Sequence, residues 1–153
     1  MSTDVVLLVD KIIRGGGETL LNSLIRHFNN SINVHIWNLG EADTDVENEL
    51  IDRGATITHI RTYQTYEKYL LKPLPIVAKK LRSFEPDIVH GYSNYTNVIA
   101  RLAGTADGIP TIVGQHHGVP ESDDPAVSAN VFTNRLADIT ITVSDTVANA
   151  VYG

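Results

Sequence analysis

Cysteine is absent from the 153-residue sequence, and methionine and tryptophan occur once each. Without thiols there is no disulfide, no cysteine nucleophile and no thiolate-held zinc or iron–sulfur centre. That composition fits a reducing cytoplasm. Long apolar runs are missing as well: the longest near the start, Val5 to Val9, is bounded by Asp4 and Asp10. A secretory leader needs a basic start and a longer apolar stretch, and a membrane span needs about 20 apolar residues. Neither pattern is present. Positive charge is also short, with 12 basic residues against 18 acidic ones and a formal net charge of −6. Nucleic-acid binding usually needs a basic balance, so no nucleic-acid partner is expected. Hydrophobic residues at 42% and charged residues at 20% match an ordinary globular domain and argue against disorder. The length suits one domain and is too short for two of the Rossmann type.

What the sequence does contain is an alternation of short apolar runs with amphipathic segments. Val5 to Val9 is continuous and rich in β-branched residues, as in a strand buried on both faces. Gly15, Gly16 and Gly17 follow, ahead of a helical stripe at Leu20, Leu21, Leu24, Ile25 and Phe28. Residues 33–39 read as a second strand. Asp43 or Thr44 caps a helix through Asp52 that stops at Gly54. Residues 55–60 read as a third strand. Pro73 and Pro75 exclude one unbroken helix over residues 63–84, so the helix is placed from Leu74 to Phe84. Strand four follows at 87–92, a helix at about 96–106, and strand five at 110–115. Residues 127–136 read as helical, 139–143 as strand six, and Ser144 caps a last helix. Six strands alternating with helices give an α/β fold, a Rossmann-like doubly wound parallel sheet, as one domain over 1–153. Ligands of such sheets sit beyond the carboxyl ends of the strands.

Three strand ends therefore carry the candidate chemistry. After strand one, Gly15, Gly16, Gly17 and Glu18 offer close backbone approach and a helix N-terminus to an anion. The run is neither G-x-G-x-x-G nor a Walker loop. After strand four come His90, Gly91, Tyr92, Ser93 and Asn94. Ser93 sits where a nucleophile elbow would place its serine, but Tyr95 replaces the closing glycine, and a helix cap at Ser93 or Asn94 fits better. After strand five come His116, His117 and Gly118. Adjacent strand residues face opposite ways, so only one histidine should face the crevice, and a two-histidine metal site is disfavoured. No metal is expected, and no residue stands out as a covalent nucleophile.

Charge is concentrated in one stretch. Between Arg61 and Arg82, six basic residues face only Glu67, a local charge of +5. Tyr63, Tyr66 and Tyr69 interleave with them, and Leu70, Leu71, Leu74, Ile76 and Val77 add apolar area. This mixture suits an anionic membrane surface, with Lys68, Lys72, Lys79, Lys80 and Arg82 as contact candidates. The competing reading is the solvated face of a surface helix.

Four motifs in order resemble the N-terminal domain of a family-4-type glycosyltransferase of GT-B architecture. They are Gly15-Gly16-Gly17-Glu18, Pro86-Asp87-Ile88-Val89-His90, Pro110 through His116-His117-Gly118, and Ala137-Asp138-Ile139 through Val143-Ser144-Asp145. The resemblance covers nearly the whole chain. It implies a retaining transferase that uses a nucleotide sugar as co-substrate, with no cofactor. The N-terminal half would mainly hold a glycan or lipid-linked acceptor. The glycine turn with Gly118 would approach the donor's phosphates and sugar. A histidine after strand five would contact the transferring sugar. Counting from Pro110 selects His116, and aligning on H-G selects His117. His90, Tyr92 and Ser93 fall on the acceptor side, with Tyr92 where many members carry a second histidine. The family's nucleotide-binding C-terminal domain is not in the sequence, so the polypeptide is expected to be a fragment, half of a split enzyme completed by a separate C-terminal domain, or a decayed remnant. The expected location is cytoplasmic, peripheral at the inner membrane face. The alternative is a non-catalytic Rossmann-like binding module or remnant held at a membrane or protein partner.

Overall fold

The computed structural model describes residues 1–60, 72–119 and 125–152. Six strands form one sheet: β1 (Thr3–Val9), β2 (Ile32–Asn38), β3 (Thr56–His59), β4 (Ile88–Gly91), β5 (Thr111–His116) and β6 (Ile139–Thr142). Their order is β3-β2-β1-β4-β5-β6, and every pairing is parallel. The helices are α1 (Gly16–His27), α2 (Thr44–Asp52), α3 (Leu74–Phe84), α4 (Asn94–Asp107), α5 (Pro125–Thr133) and α6 (Asp145–Tyr152).

Two cores flank the sheet, which explains the unbroken apolar run of β1. Val5, Leu7 and Val9 join Leu21, Ile25, Val46 and Leu50 from α1 and α2. Val6 and Leu8 join Val77, Leu81, Ile99 and Ala103 from α3 and α4. Alternate residues of one strand thus serve opposite layers.

Caps set most of the boundaries. The Asp43 side chain accepts from the Asp45 and Val46 N–H groups, so α2 starts at Thr44 as the sequence indicates. Ser93 and Thr96 form a reciprocal capping box, which starts α4 at Asn94, two residues before the expected position. Glu85 closes α3 in the left-handed region at φ 53°, directly before Pro86. The expected helix over 127–136 is instead α5 followed by a 3-10 turn at Asn134–Leu136.

Two glycines are fixed by close packing. A Cβ on Gly91 would lie 2.5 Å from the Asn97 backbone, and one on Gly114 would lie 2.5 Å from the Arg101 guanidinium. The sheet steps outward from β1 to β3 and then returns to β4 beside β1. This reversal is the topological switch point, and a crevice opens there at the carboxyl ends.

Candidate functional site

Leu8 on β1 is level with Gly91 on β4, which is level with Gly114 on β5. The residues that follow these strands therefore meet at one edge. A cavity of about 310 Å³ lies there, lined by Asp10 through Glu18 and by Tyr92, Ser93 and His117.

The glycine run forms its floor. It is not a loop ahead of the helix, as the sequence suggested: Gly15 is the N-cap, and Gly16 and Gly17 begin α1. Gly15 has no side chain to accept from the first turn, so the N–H groups there stay open to a ligand. A Cβ on Gly15, Gly16 or Gly17 would meet nothing within 4 Å. The protein's own packing does not require these glycines. The Glu18 carboxylate accepts from Asn22 Nδ2, one turn along α1. Arg14 is held by Glu49 at 2.8 Å, and Lys11 lines the cavity.

His117 forms the opposite wall. Its ring lies against that of Tyr92, with centroids 4.5 Å apart. Burial pushes the imidazole below its ordinary range, while a hydrogen bond to the Tyr92 backbone and the charge of Asp10 work the other way. Its Nε2 is buried with no hydrogen-bond partner among the described residues. Asp10 is pushed up by burial, and its charge is coupled to Lys11 and His117. Sequence reasoning treated Asp10 only as the end of strand one. The signal was its place as the first charged residue past a doubly buried strand. The Tyr92 hydroxyl donates to the Gly17 carbonyl at 3.0 Å.

Residues 14–152 match the family described as Glycosyltransferase Family 4. The chain belongs to that family. No curated protein sequence matches it. Among solved structures, HepE of Anabaena in complex with UDP and glucose is 14% identical with a TM-score of 0.72. The match covers 96% of this chain and 40% of HepE. The lipopolysaccharide outer core galactosyltransferase WaaB is 17% identical with a TM-score of 0.70, over 97% of this chain and 42% of WaaB. A UDP-GlcNAc 2-epimerase from Neisseria meningitidis, bound to UDP-GlcNAc, is 14% identical with a TM-score of 0.68, over 97% of this chain and 42% of the epimerase. At such identities the likeness shows the fold, one Rossmann-like half of a larger architecture. Transferases and epimerases share that fold.

In this family-4 chain the two adjacent histidines part company, as strand alternation requires. His117 enters the cavity. His116 is 1% exposed and points to the opposite layer. Its Nδ1 lies 3.1 Å from Asn94 Oδ1, and its Nε2 lies 3.5 Å from Arg101 Nη2. Arg101 carries only donors, so Nε2 accepts and Nδ1–H donates to Asn94. Burial, then the Arg101 charge, push this imidazole down to about 4. Both ring nitrogens are committed to neighbours. Counting from Pro110 thus selects the histidine that the fold uses as a tie.

The other expected residues divide similarly. His90 is buried one residue before the end of β4 and is pushed down to about 4 by burial; it does not line the cavity. Ser93 lines the cavity, but its hydroxyl is spent on the α4 cap with Thr96 at 3.0–3.2 Å. No histidine bonds to it among the described residues, which leaves the elbow reading without a base. Gly118 is exposed and outside the cavity lining. Lys68 and Tyr63, Tyr66 and Tyr69 lie outside the described residues. Lys72 is exposed just before α3. Lys80 sits over the Trp37 ring at 5.4 Å. Arg82 makes two bonds to Asp107, at 2.8 and 3.0 Å. Lys79 and Lys80 edge a groove of about 980 Å³ with Trp37, Ile76 and Phe84. Among the described residues, no helix is long and apolar enough to cross a membrane.

Proposed function

We propose that this chain is the acceptor-binding half of a retaining, nucleotide-sugar-dependent glycosyltransferase. Completed by a C-terminal nucleotide-binding half, it transfers a hexosyl group to a glycan or lipid-linked acceptor. The observation that carries this reading is the switch-point cavity that joins the open first turn of α1 to His117 in a family-4 chain. HepE was solved with UDP-glucose and the neisserial epimerase with UDP-GlcNAc, which supports a nucleotide diphosphate sugar as co-substrate.

The chemistry follows from the groups present. Departure of the nucleotide places charge on a phosphate. The open N–H groups of Gly16, Gly17 and Glu18 stabilise that charge in a fixed orientation, helped by Lys11. His117 is neutral near physiological pH. With its hydrogen bond to the Tyr92 backbone donated by the other nitrogen, Nε2 accepts from a sugar hydroxyl and fixes the sugar.

A transfer assay tests the reading. The chain is incubated with radiolabelled UDP-sugars and extracted glycan and lipid acceptors, alone and with a family-4 nucleotide-binding half. Transfer only in the combined sample, with the donor's anomeric configuration kept, supports it. Transfer that survives both Gly16→Asp and His117→Ala refutes it.

The groove on α3 favours peripheral membrane contact as an added property. Lys79 and Lys80 flank exposed Ile76 and Phe84, a pairing of cations with apolar area that suits an anionic lipid surface. Cosedimentation with phosphatidylglycerol vesicles but not phosphatidylcholine vesicles, lost in Lys79→Glu, is the expected result. Equal behaviour with both vesicles removes this property.

A further inference from the structure

We propose that Tyr92 is a positioning residue that couples the first turn of α1 to His117, rather than a group that touches the acceptor. The inference rests on the reading of the cavity given above. One side chain reaches both walls: its hydroxyl donates to the Gly17 carbonyl at 3.0 Å, and its ring lies 4.5 Å from that of His117. These partners are far apart in the chain, 75 residues separating Tyr92 from Gly17. Tyr92 is only 6% exposed, so water cannot readily replace the hydroxyl's partner.

The base of the side chain is fixed as well. The Tyr92 N–H donates to the Leu8 carbonyl at 3.1 Å and to Thr96 Oγ1 at 2.9 Å. Its backbone is thus tied to β1 and α4 while its ring spans the cavity. The ring cannot follow a shift of Gly17 without changing its packing on His117. A phosphate seated on the α1 start would therefore orient His117, and a sugar held by His117 would steady the α1 start, since coupling between two sites is reciprocal. The other titratable groups near His117 are Asp10, Lys11 and Arg14 after β1, His90 on β4, His116 on β5 and Glu18 on α1. None of these is altered in the variants below.

The test uses the 153-residue chain without ligand. Amide hydrogen exchange at Thr19, Leu20 and Leu21, whose N–H groups bond back to the carbonyls of Gly15 to Gly17, and the ring-nitrogen shifts of His117 are measured for wild type, Tyr92→Phe, His117→Ala and the double variant. Tyr92→Phe keeps the ring and removes only the hydroxyl. The expected result is exchange about fivefold faster at these amides, from the loss of one buried hydrogen bond at the Gly17 carbonyl. The same variant should move the His117 nitrogen shifts. His117→Ala should speed the same amides, and the double variant should fall short of the product of the single effects. Unmoved His117 nitrogens in Tyr92→Phe, or effects that simply multiply, overturn the coupling. If His117→Ala does not fold, the nitrogen shifts of Tyr92→Phe decide alone. Because no ligand is present, failure of the combined halves to transfer a sugar would sink the proposed function without touching this result.

Discussion

His116 Nε2 lies 3.5 Å from the guanidinium of Arg101, and that contact joins β5 to α4 beneath the surface. Arg101 is fully buried, and its remaining bonds go to neutral groups, Asn130 Oδ1 at 2.7 Å and Thr133 Oγ1 at 3.5 Å. Removing the imidazole strands a buried donor on Arg101 and an acceptor on Asn94. His116→Ala should therefore lower stability by about 2 kcal/mol or more in urea denaturation. His117→Ala, on the cavity wall, should stay within about 1 kcal/mol. The reverse ranking would mean the two roles are exchanged.

Acid should unfold the chain through two histidines. His90 and His116 are each pushed down to about 4 in the fold, chiefly by burial, from 6.5. Below pH 6.5 the unfolded chain binds more protons, so stability falls until about pH 4, where the folded forms also protonate. Between about pH 7 and about pH 5 each contributes a loss of about 2 kcal/mol. Asp10 works in the opposite direction, because burial makes its folded form take up a proton first. Urea midpoints measured across that range read the sum. His116→Asn should flatten the profile, and an unchanged slope in that variant would contradict the assignment.

The glycines separate packing from ligand approach. Gly91→Ala drives a methyl group into the Asn97 backbone at 2.5 Å, so it should cost about 3 kcal/mol or fail to fold. Gly16→Ala and Gly17→Ala meet nothing within 4 Å and lie inside α1. Alanine suits a helix better than glycine, by about 0.5–1 kcal/mol. These two variants should melt at or above the wild-type temperature while weakening UDP-glucose binding. A drop in both melting temperature and binding would show that the turn serves the fold.

Much of this was legible before the structure. The doubly buried run of β1, the turn at Gly54 and the breaks at Pro73 and Pro86 placed strands and helices because each acts through local geometry. The opposite facing of His116 and His117 followed from strand alternation. Which of them enters the cavity did not, since that depends on the layer to which α4 and α5 dock. Tyr92 looked like a substituted histidine on the acceptor side. Its bond to Gly17 spans three crossovers of the sheet, and no local pattern announces it. Asp10 was hidden for a related reason: a charge that ends an apolar strand looks the same whether it faces solvent or a cleft.

The cavity's role is most directly read by titrating the isotope-labelled chain with UDP-glucose while following backbone amides and histidine rings by NMR. Saturable shifts centred on Gly15 to Glu18 and on the His117 ring, with His116 unmoved and the response abolished in Gly16→Asp, are the expected result. No response at millimolar ligand, or shifts confined to the Trp37–Phe84 groove, would contradict a donor site at the switch point.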